Sequence, residues 1–100
     1  MKTELKNKIT NFVNEEAQVL VNNYYTKSYN NKVKTPKLTL SFGRRYAKIL
    51  CNDYEVWGFV SLENGDLLKA ESWNKPAAHA RGNVLNGTAV YDAYGPAYLR

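Results

Sequence analysis

Apolar residues recur every three or four positions at the start of the chain: Leu5, Ile9, Phe12, Val13, Ala17, Leu20, Tyr24 and Tyr25. That is the helical period, and Lys6, Asn7, Asn11, Asn14, Glu15 and Asn22 fall on the opposite face. The pattern predicts an amphipathic helix over 1–29. Thr3 is its expected N-cap, Glu4 suits the positive end of the helix dipole, and Asn30-Asn31 is a natural stop. Residues 30–37 then read as a basic linker, in which Pro36 excludes a continuing helix.

From residue 38 the period changes to two. Leu38, Leu40 and Phe42 alternate with Thr39 and Ser41, as in a half-buried strand. Gly43 suggests a bulge or bend, after which the strand resumes through 44–50 and on to Cys51. Asn52-Asp53 is a turn candidate. Residues 54–62 hold Val56, Trp57, Phe59, Val60 and Leu62, a run of strand formers and packable apolar side chains. Asn64-Gly65 signals a hairpin that returns through Leu67 and Ala70. Beyond Trp73 the alternation ends. Asn74 as a cap, Pro76 in a first turn and Gly82 after a last turn predict a short helix there, followed by a loop and a tail with Tyr91, Tyr94 and Tyr98. The expectation is one α+β domain over 1–100. A helix (1–29) packs on a three- to four-stranded antiparallel meander (38–71), and 72–100 supplies a short helix, a loop and an aromatic tail.

Composition narrows the chemistry. One cysteine, Cys51, excludes an internal disulfide, and a single His makes a Cys/His zinc site implausible. No apolar run reaches the roughly 20 residues that cross a bilayer, and Lys2, Glu4, Lys6 and Lys8 break any secretory h-region. The chain reads as intracellular, with no membrane partner. Its net charge of +5 is uneven: residues 1–50 carry ten Lys and Arg against three Glu, whereas residues 51–100 carry four against six acids. The excess favours an anionic partner without naming one.

Two constellations carry candidate chemistry. The first is Lys69, Ser72, Trp73, Lys75, His79, Arg81 and Asn83, which combines cations, a hydroxyl, an amide and an indole. Arg grips phosphate with two N–H groups, an indole offers a stacking face, and a short helix beginning near Pro76 would aim backbone N–H groups at an anion. The competing reading is structural, with Trp73 in the core, Lys75 solvated and Gly82-Asn83 in a turn. The second is Gly43-Arg44-Arg45-Tyr46 with Lys48. On a strand, Arg44, Tyr46 and Lys48 share one face and Arg45 takes the other, a basic-aromatic face suited to a phosphate backbone or simply to solvent. The linker cations Lys27, Lys32, Lys34 and Lys37 could extend it, or serve only solubility.

The case for catalysis is thin. His79 is the sole His, no spacing marks a triad, and Cys51 sits among apolar strand residues. A hydrolase using His79 as base would need a cleft and a partner group. No phosphate-loop, dinucleotide or metalloprotease pattern occurs, so neither cofactor nor metal is expected.

The segment from Gly65-Asp66 through Lys69, Ser72-Trp73, Pro76-Ala77 and Arg81-Gly82-Asn83 resembles a group of small tailed-bacteriophage proteins of unassigned function. Phe42-Gly43-Arg44-Arg45-Tyr46-Ala47-Lys48-Ile49, Val56-Trp57-Gly58-Phe59-Val60 and Gly95-Pro96-Ala97-Tyr98-Leu99 are similar to the same group, and Ala78 stands where a Lys is common in it. The resemblance implies a phage origin and a workplace in the host cytoplasm. It leaves the mechanism open; by analogy with other small phage proteins, the expectation is a protein that sequesters a phosphorylated nucleotide-type ligand, such as a host immune messenger, and a homo-oligomer, because such sites commonly sit between subunits. A nucleic-acid-binding protein and an inhibitor of a host defence enzyme are the alternatives. A closed pocket lined by Trp73, Lys75 and Arg81 would favour the small ligand. An open stripe of Arg44, Lys48 and the linker lysines would favour nucleic acid.

Overall fold

A computed structural model describes residues 3–30 and 32–97. The predicted α+β architecture is present: an N-terminal helical layer packs on an antiparallel sheet. The helical layer has three parts, α1 (Thr3–Asn11), a π-helical segment (Phe12–Ala17) and α2 (Gln18–Tyr29). Thr3 already lies within the helix rather than ahead of it as a cap. The stop is as expected, since Asn30 closes α2 in the left-handed conformation (φ 49°) and its N–H bonds the Thr26 carbonyl. Asn31 lies outside the described residues.

The π segment explains a residue that the period-3.6 reading passed over. Ile9, Phe12, Val13 and Ala17 are buried as the stripe predicts, but the next buried position is Val21, with Leu20 only half-buried. A π turn holds more residues than an α turn, so the buried face arrives one position late in α2.

The sheet has five strands rather than three or four, in the order β1-β2-β3-β4-β5: β1 Leu38–Phe42, β2 Tyr46–Cys51, β3 Glu55–Ser61, β4 Asp66–Ser72 and β5 Lys75–Asn83. Every neighbouring pair is antiparallel. Gly43 is not a bulge within one strand. Phe42 pairs with Ala47 and the Gly43 N–H bonds the Tyr46 carbonyl at 2.9 Å, so Arg44 and Arg45 form a tight hairpin connection. At the next turn Asn52 and Asp53 both take positive φ (55° and 66°), a conformation that Asn and Asp tolerate better than most residues.

β5 replaces the expected short helix. The helix signals of 74–83 are local, and pairing with β4 overrides them. Pro76 lacks an N–H, which costs little on an edge strand, and the positive φ of Gly82 (85°) serves an irregular strand instead of a helix end. The register between β4 and β5 shifts at three places, consistent with those two residues.

Ala47, Ile49, Val60, Leu67 and Leu38 face the helical layer and build the core with Ile9, Phe12, Val13, Ala17 and Val21. β3 carries a bulge: Ile49 pairs with Gly58 but Leu50 pairs with Val56, leaving Trp57 as the extra residue. Trp57 thereby joins the core, and its indole N–H donates to the Ala93 carbonyl at 3.2 Å. The tail packs on this same side through a two-stranded ribbon, β6 Tyr91–Asp92 and β7 Gly95–Pro96. Tyr91 meets Phe12 and Trp57 edge-on, at 5.2 and 5.8 Å between ring centroids. Tyr94 joins Tyr24 and Tyr29 through hydroxyl contacts of 3.0 and 3.3 Å. Tyr98 lies outside the described residues.

Candidate functional site

Alternation along β2 divides its side chains between the two faces of the sheet. Ala47 and Ile49 enter the core, so Tyr46 and Lys48 point to the face away from the helices. Phe59 lies directly opposite Lys48 in the register and shares that face, where it is covered by its neighbours to 3% exposure. The Lys48 ammonium sits 4.3 Å from the Trp73 ring centroid and 6.0 Å from that of Phe59, and donates to Asn74 Oδ1 at 3.0 Å. Tyr46 meets Phe59 edge-on at 6.0 Å. The β1–β2 turn carries Arg44 and Arg45, both exposed, at the rim. Together Ser41, Arg44, Arg45, Tyr46, Lys48, Phe59 and Asn74 line a shallow cleft of about 220 Å³ that contains no carboxylate.

Local sequence accounts for this assembly. The Gly43–Tyr46 hairpin places two guanidinium groups beside Tyr46, and the β4–β5 hairpin places Trp73 and Asn74 in its turn, within reach of Lys48. A cation over an indole face contributes about 0.5–1 kcal/mol at an exposed site. An ammonium has three N–H donors, and Asn74 engages one of them, so Lys48 is held in place while retaining donors for an anion. A larger hollow of about 720 Å³ lies between Leu5 and the same arginine turn, but it also carries the Glu63 carboxylate, which opposes an anionic ligand.

The two predicted constellations are regrouped. Trp73 joins Arg44, Arg45 and Tyr46 across the sheet through Lys48. The other members of the first constellation go elsewhere. Arg81 donates from Nε to the Ala97 carbonyl at 3.0 Å and from a terminal nitrogen to the His79 carbonyl. Asn83 donates to the Asn64 carbonyl at 2.7 Å and to Asp66 Oδ1 at 3.0 Å, and accepts from the Leu85 N–H at 2.8 Å. Both residues brace turns. Lys75 pairs with Glu71 at 3.0 Å on the surface. Ser72 ends β4 in register with Lys75, Lys69 is half-buried in β4, and the His79 side chain is exposed on β5. Since 75–83 is a strand, the helix N-terminus expected near Pro76 does not exist. Arg44 and Arg45 do not alternate across a strand, because both lie in a turn. The linker lysines Lys32, Lys34 and Lys37 precede β1, whereas the arginine turn follows it, a separation of roughly 16 Å along the strand.

Sequence reasoning passed over Phe59 and Asn74 as site residues. Both were reachable only through pairing: Phe59 through the β2–β3 register, Asn74 through the existence of β5. Among the described residues no cluster of three or more His, Cys, Asp or Glu could hold a metal, and no helix is long and apolar enough to cross a membrane.

Residues 1–93 match a family of unknown function, DUF7717. The chain belongs to that family. The match takes in the helical layer, all five strands of the main sheet and the basic-aromatic face, so the family description covers the whole candidate site. No curated protein and no solved structure matches the chain.

Proposed function

We propose that the chain binds single-stranded nucleic acid on the open sheet face formed by Arg44, Arg45, Tyr46, Lys48, Phe59, Trp73 and Asn74. The observation that carries this reading is the grouping of Lys48 with an indole, an amide and two nearby guanidinium groups around a cleft whose described lining holds no carboxylate. Cations follow a phosphate backbone, and the exposed Trp73 ring, with the half-buried Tyr46 ring, offers a face on which bases of any sequence can stack, over a buried Phe59. The shape argues for a strand over an enclosed small molecule. Pockets that bury a small ligand usually exceed about 300 Å³, whereas this cleft is shallow and about 220 Å³. The +7 balance of residues 1–50 acts in the same direction.

The test is fluorescence anisotropy with labelled single-stranded homopolymers, a duplex of equal length and a salt series. Three cations on the face predict a slope of log affinity against log salt of about −2 for a single strand. An unchanged anisotropy at low salt with protein near 100 μM, an order-of-magnitude ceiling for non-specific binding, would remove the proposal.

Sequestration of a small phosphorylated nucleotide by a homo-oligomer stands as the second reading. It draws on the same Lys48, Asn74 and Trp73 grouping and no longer on Arg81, which is turned onto the Ala97 and His79 carbonyls away from that grouping. Calorimetry with a panel of such nucleotides separates the two readings. On the resemblance to small tailed-bacteriophage proteins, we take the setting to be the cytoplasm of an infected bacterial host.

A further inference from the structure

The two edges of the main sheet are finished differently. β5 is irregular in register, carries Pro76, and has the tail laid against it: the Val90 N–H bonds the Arg81 carbonyl at 2.8 Å. β1 is regular, and residues 38–42 contain neither a charge nor a proline. Such an edge is a template for another strand unless something blocks it.

Parity shows which backbone groups it offers. The Gly43 N–H bonds Tyr46, and the Asn52 N–H bonds the Lys37 carbonyl at 2.9 Å. Inward-bonding positions therefore run 37, 39, 41 and 43, and Leu38, Leu40 and Phe42 turn their N–H and C=O groups outward. The first outward rung is occupied by a side chain that imitates a strand. Gln18 Oε1 accepts from the Leu38 N–H at 2.7 Å, and Gln18 Nε2 donates to the Pro36 carbonyl at 2.9 Å. One amide bonding the residues on either side of Lys37 does what the N–H and C=O of a single residue in a parallel neighbour do. Beyond it, among the described residues, no group bonds the outward N–H and C=O of Leu40 or the outward N–H of Phe42.

We propose that the outer edge of β1 docks an extended acidic peptide of another protein, which adds to the sheet as a sixth strand. The charge at the two ends selects the partner. Lys37 is exposed before β1, and the Lys6 ammonium lies 5.2 Å from the Phe42 ring centroid at the other end. A peptide with acids flanking an uncharged centre meets both cations. A second copy of this chain fits less well, because antiparallel pairing of two β1 edges brings Lys37 of one copy toward Gly43-Arg44 of the other. The backbone rungs supply affinity and the flanking charges supply selectivity.

The full chain, isotopically labelled for NMR, is titrated with a peptide alternating valine and threonine between terminal aspartates. Two controls accompany it, one with terminal lysines and one methylated on alternate backbone nitrogens. The expected result is movement of the Leu40 and Phe42 amide signals with slowed hydrogen exchange, roughly tenfold weaker binding of the lysine peptide, and loss of binding by the methylated one. Lys6→Glu should abolish the preference for the aspartate peptide, because Lys37 and the new carboxylate then oppose each other at the two ends, while leaving nucleic-acid binding intact, since Lys6 is not on the face proposed for it. Failure of the aspartate peptide to shift these amides at about 1 mM overturns the proposal. Equal binding of the methylated peptide does the same. So does a concentration-dependent dimer that protects the Leu40 amide without peptide, which would assign the edge to a second copy.

Discussion

Arg81 and Lys48 are both cations of the main sheet, and the fold uses them in opposite ways. Arg81 turns inward on backbone carbonyls of 79 and 97 and ties β5 to the tail. Lys48 is held outward, over an indole and against an amide, at a cleft whose described lining holds no carboxylate. An arginine that bridges two backbone carbonyls is a strut. A lysine steadied by an aromatic ring is a contact point. The difference lies in what surrounds each charge, and local sequence does not show it.

The strut side should break hardest. Gly82 has φ 85°, and a Cβ there would lie 1.9 Å from the Thr88 carbonyl oxygen. Gly82→Ala should cost about 3 kcal/mol or more in denaturant unfolding, enough to threaten the fold. Gly87→Ala is the matched control. Its φ is also positive (75°) but nothing lies within 4 Å of the added carbon, so about 1 kcal/mol is expected. Arg81→Ala comes next, with about 2 kcal/mol lost from its charge-assisted bonds, read as a melting temperature lower by several degrees. Nucleic-acid affinity measured well below that melting temperature should be nearly unchanged. A large loss of affinity with unaltered stability would move Arg81 from strut to contact.

Trp73→Ala should reverse that pattern. The side chain is 48% exposed, so unfolding should change little, while single-strand affinity falls roughly tenfold through lost stacking and a released Lys48. Lys75→Ala, which opens only a surface pair with Glu71, should leave both measurements nearly unchanged.

The smallest effect is alkaline. Burial raises the pKa of Tyr25, Tyr91 and Cys51, and the hydrogen bonds that protonated Tyr94 makes with Tyr24 and Tyr29 raise that of Tyr94. These groups are neutral when protonated, and folding favours that form. Their contribution is present in full below their unfolded values and is lost as pH rises, from about pH 9 for the thiol and about pH 10 for the phenols. Chemical denaturation across pH 8–11 should show that decline, and Tyr94→Phe should make it shallower.

Legibility followed the range of the interactions. The helical layer was readable because each buried residue announces itself within a turn or two. Val21 was displaced only because a π segment adds a residue to one turn. β1 to β4 were readable from alternation and turn residues, except that Gly43 gave no sign of reversing the chain. β5 was not readable: the capping and breaking residues of 74–83 describe a helix locally, and only the neighbouring β4 makes them a strand. The candidate site inherits that limit. Tyr46 and Lys48 were placed on one face by counting, but their meeting with Trp73 and Asn74 depends on a hairpin that the local signals contradict.

The two tryptophans divide the molecule's optical signal. Trp57 is 4% exposed and bonded to the Ala93 carbonyl, so its emission reports whether the core is intact. Trp73 stands on the open face beside Lys48, so quenching there reports what touches that face. Replacing either indole with phenylalanine leaves a single-reporter protein. Occupancy and unfolding can then be followed separately by intrinsic fluorescence, without a label on the chain.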